Sequence, residues 1–446
     1  MNTEKHRQGT EAQRDEGTKC RAAPIPRVPI PSGSGVVAAI TVLLLMTGQA
    51  MAQPCGGYEV TAIIQTPVDC GFGFDITTGL GLNDDGAVVG YYWCSGWEHE
   101  EAFVWTAKEG FVTLERPQGV SSARAVDIND EGIICGTVVV SGLGSRGFVY
   151  GYEGDQFTIL DIPPGGNTSE ARSINSAGEI VGFWGDTING PSPLAFIWRD
   201  GEMIDIHPDF RTVKSEANGI TDGSIVTGWM GTSPLTDARA FIWDNGKVTE
   251  LPPIPGGFTS KGNRINTRGQ LAISGKFNDD HPRGFISGGF LWEKGRWTDL
   301  GMLPGYDSMA LKGLNDAGDV VGWSRAIESS NEPDVGFVWR DGVMKNLNDL
   351  IAPGAELEIS RAEGINESGQ ITGRATSPDG LVAFLLTPIE PRLGDLDGDC
   401  QVGVSDLLIL LLNWGPCESC EDCPADLDGN CIVDVSDLLI LLVNWG

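Results

Sequence analysis

Ala171-Arg172-Ser173-Ile174-Asn175-Ser176-Ala177-Gly178-Glu179-Ile180-Val181-Gly182-Phe183-Trp184 carries the plan on which most of this chain is built. Ala171 to Asn175 ends one strand, Ser176-Ala177-Gly178 turns the chain, and Glu179 to Trp184 runs back as a second. Asn at the first turn position caps its own backbone and Gly at the fourth takes positive φ, the chemistry of a type I hairpin. Beyond it, Ala195-Phe196-Ile197-Trp198 reads as a third strand. Arg199-Asp200-Gly201 then turns tightly into a fourth, Met203-Ile204-Asp205-Ile206.

The same signature anchors seven units at Asn83, Asn129, Asn175, Thr221, Asn266, Asn315 and Asn366, in steps of 46, 46, 46, 45, 49 and 51 residues. In unit four Thr221 replaces the Asn and the turn reads one residue shorter. A period in the forties with four short strand signals is that of a β-propeller blade. The third strand repeats an aromatic at Phe103, Phe148, Phe196, Phe241, Phe290, Phe337 and Phe384. Repeated units cannot bury their faces alone, so these rings read as core between neighbouring blades. Unit seven ends at Phe384-Leu385-Leu386 without a fourth strand, and Tyr58 to Ile64 precedes unit one without a partner. Pairing the two closes the circle and removes an exposed edge. The expectation is an all-β, seven-bladed β-propeller over residues 53–387, closed by an N-terminal strand.

Across about residues 58 to 387 the Ile-Asn-x-x-Gly, Val-Gly and Ala-Phe-hydrophobic-Trp pattern resembles the HAF-type extracellular repeat family. That family is named for its sequence and exported context, so the resemblance implies an extracellular repeat ring and no particular reaction.

The chain has 446 residues, 41% of them hydrophobic, and 30 Lys plus Arg against 61 Asp plus Glu, for a formal charge of -31. Such a balance repels phosphate backbones and anionic membranes and argues against nucleic acid as a partner. Val36 to Met46 is a mostly apolar run behind Lys19, Arg21 and Arg27 and ahead of Ala50-Met51-Ala52. It reads as a signal peptide over 1–52, cleaved before Gln53. The run is far short of the roughly 20 residues that span a bilayer, so no membrane span is expected after cleavage. Loss of Cys20 leaves nine cysteines in an oxidising destination, an odd number that leaves at least one thiol outside intrachain bridges.

After a Pro-bracketed linker, 388–392, residues 393–446 hold two near-copies of one loop followed by Leu-Leu-Ile-Leu-Leu. Loop positions 1, 3, 5, 7 and 12 are Asp395, Asp397, Asp399, Gln401 and Asp406 in the first and Asp426, Asp428, Asn430, Ile432 and Asp437 in the second. Hard oxygen donors at these positions, with the backbone carbonyl at 7, match an EF-hand loop, and two loops imply two calcium ions. The pair resembles a type I dockerin, a small α-helical calcium-binding module, with Asp at position 12 as that family has it. The resemblance implies that Val404-Ser405 and Val435-Ser436 contact a cohesin-like protein or cell-surface receptor in either of two orientations. Position 6, usually Gly, is Cys400 in one copy and Cys431 in the other. A non-Gly residue at positive φ costs about 1–2 kcal/mol and a disulfide returns about 2–4, so a Cys400–Cys431 bridge is expected. Cys417, Cys420 and Cys423 read as further disulfide partners rather than a zinc knuckle.

No nucleophile elbow, His-Glu-x-x-His helix or phosphate-cradling loop appears, and His99, His207 and His281 fall at unrelated points of the repeat. The most distinctive loops hold Trp93, Trp97 and His99, and Ser324 to Asp334. The expected function is that of an exported, non-enzymatic binding or scaffold ring carried by its calcium-dependent tail. The alternatives are a polysaccharide-active hydrolase and a lectin-like ring that binds polysaccharide without turnover.

Overall fold

The computed structural model describes residues 57–63, 75–93, 99–151, 154–186, 193–207, 214–277, 287–327, 333–352, 355–378, 380–389, 392–398, 401–417, 419–420 and 423–446. The expected signal peptide, Trp97, His281, Asp399 and Cys400 lie outside them. The described chain is mostly β, with two short α-helices, Val404–Leu412 and Val435–Val443.

Units two to six each form a four-stranded antiparallel sheet in chain order. In unit three the strands are Thr168–Ile174, Ile180–Gly185, Leu194–Arg199 and Glu202–Asp205. Units one and seven share an eight-stranded sheet, joined by a short parallel pairing of Asp75-Ile76 with Gly380-Leu381. The strand Tyr58–Ile63 runs antiparallel to Gly380–Pro388, with Ala62 opposite Phe384, and so fills the place of a fourth strand in unit seven.

Each turn Asn is buried and bonds in two directions. In unit three its Oδ1 accepts from Glu179 N–H at 2.9 Å, holding the turn, and its Nδ2 donates to the Thr221 carbonyl of the next unit at 3.1 Å. The same step joins Asn83 to Asn129, Asn129 to Asn175, Asn266 to Asn315 and Asn315 to Asn366. Asn366 then donates to the carbonyl of Asn83, 283 positions away, at 3.0 Å. Thr221 lacks the amide, and no such step is made from it.

The turn of unit four is the same length as the others, contrary to the expected shortening. Ser224 N–H donates to Thr221 O at 2.9 Å, just as Gly178 N–H donates to Asn175 O. Ser224 takes the glycine's place at φ 58°, and Thr221 Oγ1 accepts from Ile225 N–H in the role of the Asn oxygen. The hydroxyl replaces half of what the amide does.

The third-strand phenylalanines are buried, as their spacing requires, and each sits in a cluster shared with the preceding unit. Phe241 packs with Val181 and Ala195, Phe337 with Ala272 and Leu291, and Phe384 with Val321 and Val338. Phe103 of unit one packs with Ala383 and Leu385 of unit seven and with Ile63. Burying such a side chain stabilises by about 1.5–3 kcal/mol, and here that energy is available only when units adjoin.

All seven inner strands carry a β-bulge at one place, three residues before the turn position. The bulged residues are Leu80, Val126, Arg172, Asn218, Asn263, Lys312 and Glu363. A bulge re-aims its side chain off the ladder, and all seven line one cavity.

Candidate metal centres and inner-strand cavities

In the tail, ligand atoms of Asp395, Asp397 and Asp406 lie within 4.8 Å of one another, as do those of Asp426, Asp428 and Asp437. The position-12 aspartates are the pivots. Asp437 accepts from Leu427 N–H and Asp428 N–H through Oδ1 and from Asp434 N–H through Oδ2, and Asp406 repeats this with Leu396, Asp397 and Gly403. One carboxylate thus ties the loop's entry to the first turn of the following helix, whose exposed N–H groups favour an anion.

Residues 393–446 hold eleven Asp or Glu and no Lys, Arg or His. The carboxylates of Asp426 and Asp428 converge with that of the fully buried Asp437, and the tail has no side-chain cation to offset the three. Uncompensated charge of this kind is costly, and a hard divalent cation fits the donor set. Asn430 is exposed, its Oδ1 accepting from Ile432 N–H at 2.9 Å, and Gln401 is exposed. Ile432 lies in a two-residue ladder opposite Pro416.

The expected Cys400–Cys431 bridge is not formed: Cys431 is bonded to Cys420, and Cys417 to Cys423. Cys417 N–H donates to the Cys431 carbonyl at 3.0 Å, so the connection between the helices runs beside the second loop and brings its own cysteine within reach. Cys431 does adopt the positive φ, 68°, that its place in the loop demands. Cys135 is a free thiol buried in the core, and burial raises its pKa well above the ordinary range.

Val404, Ser405, Val435 and Ser436 are all exposed. They begin two matching apolar faces. Val404, Leu408 and Leu412 follow one side of the first helix, and Val435, Leu439 and Val443 the same side of the second, with Leu412 and Val443 83% and 85% exposed. The other side supplies Leu410 and Leu441 to a small core with Val402, Ala425 and Val433.

Two cavities follow the inner strands. The turn positions after the Asn belt line one of about 240 Å³ that holds Asp84, Asp130, Asp222, Asp316 and Glu367. Burial raises the Glu367 pKa, with Asp316 and Asp84 adding to the effect. Farther back along the strands, the bulged residues line a second of about 600 Å³, with Arg124, Lys261 and Arg264. Sequence reasoning passed over this second cavity, because a bulge leaves repeat spacing unchanged. Of the loops expected to be distinctive, His99 pairs with Glu101 at 3.2 Å, and Asp334 receives Arg325 and Arg361 at 2.7 Å each. His207 bonds Ser215 at 2.6 Å.

No protein-family model matches the chain, and no curated protein matches it. Solved structures are similar to it in fold. A streptogramin B lyase matches at 13% identity and a TM-score of 0.42, over 74% of this chain and 97% of that one. The β-propeller domain of the Trilobed protease from Pyrococcus furiosus matches at 12% and 0.46, over 70% and 93%. An acylaminoacyl peptidase from Pyrococcus horikoshii matches at 13% and 0.46, over 72% of this chain and 52% of that one, about half its length.

Proposed function

We propose that this chain is an exported, non-enzymatic binding or scaffold protein, a seven-bladed β-propeller carried by a calcium-loaded, dockerin-like tail that docks on a cohesin-like or cell-surface protein. Closure is supported by the Asn366 to Asn83 hydrogen bond, the cluster joining Phe103 to Ala383 and Ile63, and the pairing of Tyr58–Ile63 with unit seven. Export is supported by the apolar run Val36 to Met46 and by two disulfides, bonds that persist in oxidising compartments. Among the described residues no helix is long and apolar enough to cross a membrane.

The observation that carries the docking reading is the twin apolar face on the two tail helices, each beginning directly at an acidic loop. A module this small buries too little to leave two such faces idle at no cost. Calcium holds each loop and so fixes the angle at which its helix presents that face. At a hundredfold over Kd a bound ion contributes about 2.7 kcal/mol.

The test is binding of the full chain to immobilised type I cohesins in millimolar calcium and in chelator. Chelator is expected to abolish binding. Leu408→Asp alone leaves the second orientation, whereas Leu408→Asp with Leu439→Asp removes both. Binding that survives chelator or the double substitution overturns the docking role.

A further inference from the structure

The bulged residues are the least uniform part of a uniform repeat. The turn Asn recurs in six units and the core Phe in all seven, yet the bulged position carries Leu, Val, Arg, Asn, Asn, Lys and Glu. Side chains so different share no packing duty. What they have in common is that they face the same cavity of about 600 Å³.

Charge there runs against that of the molecule. Five cations line the cavity, Arg124, Arg172, Lys261, Arg264 and Lys312, against three carboxylates, in a chain whose formal charge is -31. The three carboxylates are each taken: Glu100 by Arg124 at 2.5 Å, Glu170 by Arg172 at 3.1 Å and Glu363 by Lys312 at 2.8 Å. Among the described residues, Lys261 and Arg264 have no carboxylate at ion-pair distance. Lys261 Nζ lies 5.4 Å from the Trp229 ring centroid, and burial pulls its pKa below the ordinary range. Arg264 is anchored through Nη1 to the Asn218 carbonyl at 2.6 Å. It feels the half-buried Asp127, whose own pKa is pushed up by desolvation. A cavity with low-dielectric walls focuses the field of two such cations on whatever enters.

We propose that this cavity binds a small hydroxylated monocarboxylate of the sugar-acid class, its carboxylate held by Lys261 and Arg264. Asn218 Nδ2 and Asn263 Nδ2 each give one proton to a main-chain carbonyl, of Gly262 and Leu311, and keep a second, while Ser274 Oγ, which donates to Asn263 Oδ1, can still accept, so the wall has donors and an acceptor left for hydroxyl groups. With three of its five cations already paired, the wall has only Lys261 and Arg264 left to offset an anion, which suits a ligand of single charge better than a dense polyanion. The inference rests on the cavity alone and is independent of the docking reading, since it involves no residue of the tail.

The test is calorimetric titration of the full chain in calcium with glucuronate and galacturonate, their neutral twins glucose and galactose, and inorganic phosphate. At least one uronate is expected to bind saturably and its twin not at all. Affinity should fall as salt rises, drop about tenfold or more in Lys261→Met, and be largely kept in Lys261→Arg. Thermal melting establishes that both variants are folded, and the salt dependence of the unaltered chain stands if one is not. The proposal is overturned by absence of uronate binding, by equal binding of a neutral hexose, by phosphate binding more tightly, or by a folded Lys261→Met that binds undiminished.

Discussion

Ser224 stands at φ 58°, where the other six turns place glycine. A side chain there meets the following carbonyl, at a cost of about 1–2 kcal/mol. Ser224→Gly is therefore expected to raise stability by about 1 kcal/mol, read as a higher urea midpoint with unchanged slope. An unchanged or lower midpoint would show that the Ser224 hydroxyl, which donates to Glu179 Oε2 at 2.5 Å, offsets the strain. Asp334 supplies a pH-dependent counterpart. Burial opposes its charge, but hydrogen bonds from Arg325 and Arg361 prevail and hold its pKa below the ordinary value. A depressed carboxyl contributes stability that is complete above the unfolded pKa, about 3.9, and is lost as pH falls through the folded one. Asp334→Asn should thus destabilise at neutral pH, by no more than about 1 kcal/mol because water screens the pair. The gap from the unaltered chain should close on acidification below about pH 4. A gap independent of pH would refute the ionic account.

At the scale of the element, the tail sets local strain against covalent restraint. Cys431 combines a positive φ with a bond to Cys420. Replacing it with Gly removes about 1–2 kcal/mol of strain but forfeits about 2–4 from the disulfide, so Cys431→Gly should lower tail stability on balance. It should also weaken the calcium binding proposed above, because the bridge restrains the loop that holds Asp426 and Asp428. Melting and calcium titration at equal protein concentration decide it. That the strain exists was legible in the sequence, since EF-hand loops take Gly at this position. Which cysteine relieves it was not, because pairing depends on where the Cys417 segment passes. The turn asparagines and core phenylalanines were legible for the opposite reason: each acts within its own hairpin or at a fixed point of the repeat. The turn of unit four misled because glycine normally marks the fourth position. There Gly223 sits one place early, and only geometry reveals that Ser224 bends instead. The cavity lined by the bulged residues was hidden altogether, since a bulge changes which way a residue faces without changing its spacing.

At the scale of the whole molecule, the six residues Tyr58–Ile63 connect the two ends of the repeat. Tyr58 N–H donates to the Leu350 carbonyl at 2.8 Å, and its ring is buried with Leu347, Ile359 and Phe384. Ile63 lies at the far end of the strand, in the cluster around Phe103 of unit one. Removing residues 1–64 forfeits these two side chains, worth about 1.5–3 kcal/mol each, and leaves Gly380–Pro388 with a largely unpaired edge. Exposed edges recruit other strands. The shortened chain should melt at lower temperature and associate as its concentration rises, as seen by light scattering on a sizing column. A synthetic peptide of residues 57–63 added in trans should reverse both effects by supplying the missing strand. If the latch holds the circle closed, restoration must also return thermal protection to unit one, because Ile63 supports Phe103 across the join. Hydrogen exchange at Val88–Trp93 reads that directly. Protection of this strand that ignores both deletion and peptide would mean that units one and seven hold together without the N-terminal strand, through the Asp75–Gly380 pairing, the Asn366 and Glu367 hydrogen bonds and the packing of Phe103 on Ala383 and Leu385.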